Sequence, residues 1–337
     1  MPNHATGYNL TFPLRVGLVG TGYAAKTRIE TLRADTRSHL VAAAGHSRTR
    51  TAEFSKTHDL RAFDSWEELV EHADIDLVFI STINRDHGAI ARAALTAGKH
   101  VVIEYPLALE VAEAEELLVL AKDHNRFLHV EHIELLSGIH QAIVDHLLSI
   151  GTPFYVQSSN LNPQRPAPQK WTYQPELFGF PLLGAVSRIH RLTNLFGQVM
   201  TVSCQSRYWQ PNDSFDTYTT CLCTAHLRFA NGLIAEIIYG KGEALWQSDR
   251  SFTIHGEKGA ILIDGEEGTL VLGDETQPLD IGSRRGLFAR DTVMVLDHLE
   301  KGTPLYVSPS DSLYALRVAD AARQSAETGE TIKIGSF

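Results

Sequence analysis

The chain has 337 residues, 43% of them hydrophobic and 21% charged, with a net charge of −10. That is enough chain for two domains with sizeable cores, and the acidic balance argues against a general nucleic-acid or anionic-membrane surface. No apolar run approaches the ~18–20 residues of a membrane span, and three cysteines in so long a chain fit a reducing compartment, the cytoplasm.

Residues 1–13 carry no basic-plus-apolar signal pattern and read as a flexible tail. Strand runs follow at 14–20, 40–46, 75–82, 100–106 and 127–133, with helical patterns between them, including 63–75, 87–99 and 110–125. Alternation of this kind predicts right-handed crossovers and a doubly wound parallel sheet. After a helix at about 138–150 the pattern changes to alternating strands joined by turn signals such as Asn231-Gly232, Glu257-Lys258-Gly259 and Glu267-Gly268. Two helices, about 287–300 and 308–327, close the chain. The expected fold is therefore α/β. A Rossmann domain occupies 14–133, and an α+β substrate domain with a large, mostly antiparallel sheet occupies 134–337, its final helix packing back on the Rossmann domain. A Pro-rich stretch at 162–181 is too long for a simple linker, and loops of that length are often functional. Cys221 and Cys223 alternate along one strand, so both thiols face one side, as core residues.

The first strand runs into Gly20-Thr21-Gly22-Tyr23-Ala24-Ala25, a G-x-G-x-x-A that opens a helix. Gly20 permits the tight turn, Gly22 a close approach of a pyrophosphate, and Ala25 close helix packing; the helix N-terminus favours phosphate. After the second strand comes Gly45-His46-Ser47-Arg48, with no acid for a ribose 2′-hydroxyl. Ser47 and Arg48 suit a 2′-phosphate, so NADP(H) is expected rather than NAD.

With these pieces, "VGLVGTG", "IDLVFISTINRDHGAIARAALTAGKHVVIEYPLAL" and the antiparallel domain that follows, nearly the whole chain resembles the glucose–fructose oxidoreductase / inositol dehydrogenase (Gfo/Idh/MocA) family. The resemblance places Thr82, Asn84 and His87 beside the cofactor and Glu104 near the nicotinamide ribose. Sugar-oxidising members end the strand at 101–106 in E-K-P and carry an Asp and a His, four residues apart, in a later glycine-rich stretch. Here the lysine is Tyr105. Registering "FGFPLLGAVSRIHRLTNLFG" (178–197) on its terminal "LFG" puts Leu183 and Ser187 at the other two positions. Oxidising a hydroxyl needs a base working near neutral pH, and tyrosine, with a reference pKa of ~10, is a poor one.

"EYPLALE", "HVEHIELL", "APQKWTY" and "GSRRGLF" resemble one branch of the family, the biliverdin reductases, and specifically its cyanobacterial members. That resemblance implies NADPH-dependent hydride transfer to C10 of biliverdin IXα with protonation of a pyrrole nitrogen, giving bilirubin IXα. It implies no metal, no nucleic-acid or membrane partner, and either a monomer or a homodimer. Tyr105 then flanks a flat conjugated substrate, as a positioning contact or a proton source. Arg188 and Arg191, three residues apart, share a helix face. Arg188 is expected to support the substrate or the reduced pyrrole anion, and Arg191 a propionate. Lys170, Trp171, His132 and Arg285 are further substrate contacts, and Asp291 is a proton-relay acid or a helix N-terminal residue. A sugar or polyol dehydrogenase using NADP, and a noncatalytic NADP-binding regulator, are the competing readings.

Overall fold

In the computed structural model, which describes residues 7, 8, 10–210 and 216–335, the apolar runs of the first half become six short parallel strands. These are β1 (Leu14–Val19), β2 (Ser38–Ala44), β3 (Arg61–Ala62), β4 (Leu77–Ile80), β5 (His100–Glu104) and β6 (Leu128–Glu131). Their order is β3-β2-β1-β4-β5-β6. The helices between them are α1 (Tyr23–Ala34), α2 (Arg48–Thr57), α3 (Trp66–Glu71), α4 (His87–Thr96) and α5 (Val111–Asp123). All of β4 is buried, as continuous Val/Ile/Leu/Phe runs require when helices cover both faces. Ser47 and Ser65 start α2 and α3 by accepting the Arg50 and Glu68 amides. The order reverses between β1 and β4, the place where open α/β sheets bind ligands.

The chain divides into two compact units: residues 1–133 with 286–313, and residues 134–285 with 314–337. Residues 286–313, assigned to the second domain on sequence, therefore join the first unit. They carry α10 (Leu287–Lys301), whose Val295, Leu296 and Leu299 are wholly buried in the core with Leu14, Leu18, Leu32 and Phe79. Part of the expected tail at 1–13 is packed. Residues 1–6 and 9 lie outside the described residues, but Tyr8, Leu10 and Phe12 pack on this same core, where burying apolar side chains holds the segment.

In the second unit α6 (Gly138–His146) precedes β7 (Pro153–Pro163). The Pro-rich stretch contains a one-turn helix, α7 (Pro175–Phe178), and ends where a second, α8 (Pro181–Gly184), begins, each with proline in its first turn. Then come α9 (Ser187–Phe196), β8 (Val199–Trp209), β9 (Thr220–Phe229), β10 (Ile234–Gly242), β11 (Asp249–Gly256), β12 (Gly259–Asp264), β13 (Glu267–Leu272) and β14 (Glu275–Leu279). The chain ends with α11 (Pro309–Thr328) and β15 (Ile332–Lys333). The nine-stranded sheet runs β14-β13-β12-β11-β7-β10-β9-β8-β15. It is antiparallel except for β7 against β10. Cys221, Cys223, Ala225, Leu227 and Phe229 are buried while His226 and Arg228 are exposed, the period of two that a one-sided strand requires. The turn expected at Glu267-Gly268 lies earlier, around Gly265, whose φ is +59°, and Glu267 already begins β13.

Candidate active site

Gly20 ends β1 with φ +122°, and a Cβ there would stand 2.1 Å from the Ser81 carbonyl oxygen at the end of β4. Only glycine fits this position. At Gly22, by contrast, no described atom lies within 4 Å of where a Cβ would be. Behind it α1 begins with no side-chain cap and no acid in its first turn, so its amide groups are left for an anion. Thr21 and Ala24 are partly exposed on this rim, and Tyr23 is 76% exposed, edge-on to Phe288. At the next strand end Ser47 caps α2, and Arg48 is exposed, with only Asp64 at 3.8 Å. Such a loose exposed pair costs little to break, so Arg48 is available to a ligand phosphate.

Thr82, Asn84 and His87 follow β4, with Asn84 in a 3-10 turn that runs into α4. His87 is wholly buried, its Nδ1 2.8 Å from the Pro106 carbonyl oxygen. Burial pulls its pKa down despite bonds to the Pro106 and Thr82 backbones. His87, expected beside the cofactor, is thus a buried neutral brace between the loops after β4 and β5. Glu104 ends β5. Burial raises its pKa, with Arg28 and a bond from the Ser81 hydroxyl acting the other way. Its Oε1 is buried with no hydrogen-bond partner among the described residues, a vacancy that a ligand hydroxyl would satisfy. Tyr105 lies flat on His132, ring centroids 5.2 Å apart and planes 12° from parallel. His132, expected at the substrate, is instead buried beneath Tyr105, with Nε2 2.8 Å from the Ser312 hydroxyl.

Beneath these strand ends lies an ion network that motif reading misses. Arg28 of α1 is 1% exposed and lies over the rings of Phe79 and Phe288, each 5.1 Å from the guanidinium carbon. It donates to Asp291 Oδ2 at 2.8 Å and Thr292 Oγ1 at 2.7 Å, and pairs with Glu131. Asp291 Oδ1 accepts from His129 Nε2 at 2.9 Å and from the Tyr306 hydroxyl at 2.8 Å. The Tyr306 oxygen in turn accepts the His132 amide at 3.0 Å. Burial opposes ionisation of Asp291, but Arg28 and His129 outweigh it and hold the carboxyl below its ordinary range. Burial pushes Glu131 well up, and its neighbours Asp291 and Glu104 add to the rise that Arg28 resists. Asp291 has no exposed surface and both oxygens are engaged. The expected proton-relay acid is therefore a tie between α1, β6 and α10.

In the second unit Arg188 and Arg191 stand on α9, as expected, but in unlike surroundings. Arg191 is 9% exposed and donates to Glu134 Oε2 at 3.2 Å. Burial lowers its pKa to about 10, with Glu134 opposing and Arg188 and Arg284 adding to the fall. Arg284 takes the other Glu134 oxygen. Burial would raise the Glu134 carboxyl, but the three arginines bring it below its usual value. Arg191, expected to hold substrate, is thus committed to Glu134. Arg188 is half-buried and its side chain makes no hydrogen bond or ion pair among the described residues; its Nε is enclosed without a partner. Arg285 and Lys170 are exposed, and Trp171 packs 5.8 Å from the Phe178 ring. Leu183 and Ser187 are buried, so neither offers an acid/base group. Lys241, absent from the sequence reading, holds the Pro-rich stretch: its Nζ is 2.5 Å from the Thr172 carbonyl oxygen and 3.9 Å from the Phe178 ring.

Comparison with known proteins agrees with this geometry. A model of an oxidoreductase family with an NAD-binding Rossmann fold matches residues 14–132, and its C-terminal α/β domain matches 147–334. Biliverdin reductase A of Mus musculus is 30% identical over 250 residues, 73% of this chain and 77% of its own. The crystal structure of biliverdin reductase in complex with biliverdin and NADP+ from Synechocystis sp. PCC 6803 is 52% identical, with a TM-score of 0.91 over 94% of this chain and 99% of that one. Levoglucosan dehydrogenase in complex with NADH shares the fold at 20% identity, with a TM-score of 0.84 over 96% and 100% of the two chains. The chain belongs to the Gfo/Idh/MocA oxidoreductase family.

Proposed function

We infer that the protein is an NADPH-dependent biliverdin reductase, converting biliverdin IXα to bilirubin IXα. The observation that carries this reading is the 52% identity, over 94% of the chain, to a reductase whose structure holds biliverdin and NADP+. The residues fit the cofactor. Gly22 and the uncapped start of α1 would take the pyrophosphate, Ser47 and Arg48 the 2′-phosphate, and the unpartnered Glu104 Oε1 a ribose hydroxyl. When bound, NADPH supplies the hydride.

The substrate accepts that hydride at C10, and negative charge then gathers on the pyrrole system until a nitrogen is protonated. No hydroxyl is oxidised, so the chain needs no lysine at 105 and no acid/base group at 183 or 187. Tyr105, braced flat on His132, offers its ring to a planar conjugated ligand. Arg188 forms no direct ion pair with a described side chain, and its enclosed Nε lacks an acceptor; we assign it to the developing anion. It keeps its own proton, because arginine does not readily give it up. Three free cysteines, with Cys204 and Cys223 sulfurs 3.4 Å apart and unbridged, suit action in the cytoplasm.

An absorbance time course with purified protein, biliverdin IXα and NADPH, repeated with NADH, tests the reading. Loss of the red-region band with growth of the bilirubin band, faster with NADPH, is the expected result. Cofactor binding without any spectral change across the pH range would leave a regulator, and reduction of NADP+ by a polyol would leave a sugar dehydrogenase.

A further inference from the structure

The Rossmann unit holds a second recess, at the amino ends of its strands and so at the opposite edge of the sheet from Gly20. It is a cleft of about 540 Å³ beside β1, β4 and β5, walled on one side by Leu10, Phe12 and Pro13 and on the other by Lys99, His100 and Arg126. Its one carboxylate is already satisfied: Asp76 accepts Arg15 Nε at 2.9 Å, Arg15 Nη2 at 2.7 Å and the Arg15 amide at 2.8 Å. What remains is donors. Lys99 Nζ donates to the His72 and Ile75 carbonyls at 2.7 and 2.8 Å, which leaves one of its three N–H groups. His100 Nδ1 accepts the Phe127 amide at 3.0 Å, so the neutral ring carries its proton on Nε2. The Arg126 side chain makes no hydrogen bond or ion pair among the described residues, and its Nε is enclosed without a partner.

A guanidinium whose enclosed nitrogen has no acceptor is expensive unless something supplies one. Its neighbours do not supply one: Lys99 is also a cation, and Asp76 is committed to Arg15, which pairs with Asp74 as well. We propose that this cleft is a second ligand site, for a small organic anion whose phosphate or carboxylate group is held by Arg126, Lys99 and His100 and whose apolar body lies on Leu10, Phe12 and Pro13. Neither hydride transfer nor cofactor binding uses these residues, so the proposal stands apart from the assigned reaction.

Calorimetric titration with phenyl phosphate tests it, at constant ionic strength and with NADP+ saturating so that the cofactor's own phosphate contacts are filled. Saturable binding is expected. Inorganic phosphate should bind more weakly and phenol not at all. Arg126→Gln should weaken phenyl phosphate at least tenfold and leave the biliverdin reduction rate unchanged, and Arg126→Lys should restore part of the affinity, a comparison that holds even if the glutamine variant folds poorly. Absence of saturable binding to the NADP+-loaded protein, or equal affinity in wild type and Arg126→Gln, would overturn the proposal.

Discussion

Asp291 and Arg188 invite comparison. Each stands on a helix of its own unit, each looked catalytic in the sequence, and the structure treats them in opposite ways. Asp291 is sealed, with three hydrogen bonds reaching its carboxylate, from Arg28, His129 and Tyr306. Arg188 makes no direct ion pair among the described residues, feeling Glu134 only at longer range, and its enclosed Nε has no acceptor. A charge whose partners are all protein groups organises the fold; a charge left without one is available to a ligand. The same division separates Arg191 from Arg188, three residues apart on α9, because Glu134 pairs directly with Arg191 and reaches Arg188 only at longer range.

The largest expected effect comes from breaking the sealed side. Asp291→Asn removes the charge opposite Arg28 and leaves a buried guanidinium with Glu131 as its remaining acidic partner. Disrupting a buried pair in this way costs about 3–5 kcal/mol, which urea unfolding would register directly. The pH dependence has a matching sign. The folded pKa of Asp291 lies below its unfolded value, so its contribution is present above the unfolded pKa of ~3.9 and is lost as pH falls through the folded one. Turnover per folded molecule should change by less than about threefold. A hundredfold loss of turnover at unchanged stability would instead make Asp291 a proton relay.

Breaking the available side should do the reverse. Arg188→Ala removes a cation that nothing in the fold needs as an ion-pair partner, so stability should hardly move. Its loss should lower kcat on the order of 100-fold, about 2.7 kcal/mol, the scale of a lost electrostatic contact to a developing anion. NADPH affinity, measured by fluorescence titration, should stay within about threefold. Unchanged kcat would remove Arg188 from the reaction.

Why one half of this contrast was readable in sequence and the other was not has a physical reason. Gly20 and Gly22 announce themselves because local backbone geometry demands glycine there, and the strands of the first unit because burial on both faces makes their sequences continuously apolar. Arg28 did leave a trace: with Ala25, Ile29 and Leu32 it lies on the buried stripe of α1, at helical spacing where a charge needs a partner. Its partners were invisible, since Glu131 and Asp291 are 103 and 263 residues away and meet it only when α10 joins the first unit. Glu134 and Arg284, 150 residues apart, hid the commitment of Arg191 in the same way. β14 escaped notice because "ETQPL" is an exposed edge strand with a proline in it, where neither alternation nor burial leaves a pattern.

Tyr105 falls between the two cases, and the smallest predicted effect decides its role. Its ring is fixed by the parallel stack on His132, and that stack survives in Tyr105→Phe while the hydroxyl does not. If the ring is what matters, kcat should fall less than about threefold, under ~0.7 kcal/mol, and the pH–rate profile should keep its shape. Tyr105→Ala, which removes the platform itself, should then raise the KM for biliverdin while leaving NADPH binding nearly intact. If the hydroxyl supplies the pyrrole proton, the phenylalanine variant should lose kcat far beyond threefold with KM unchanged. The strand-end position that is a lysine in sugar-oxidising members of the family would then be a tyrosine that gives a proton.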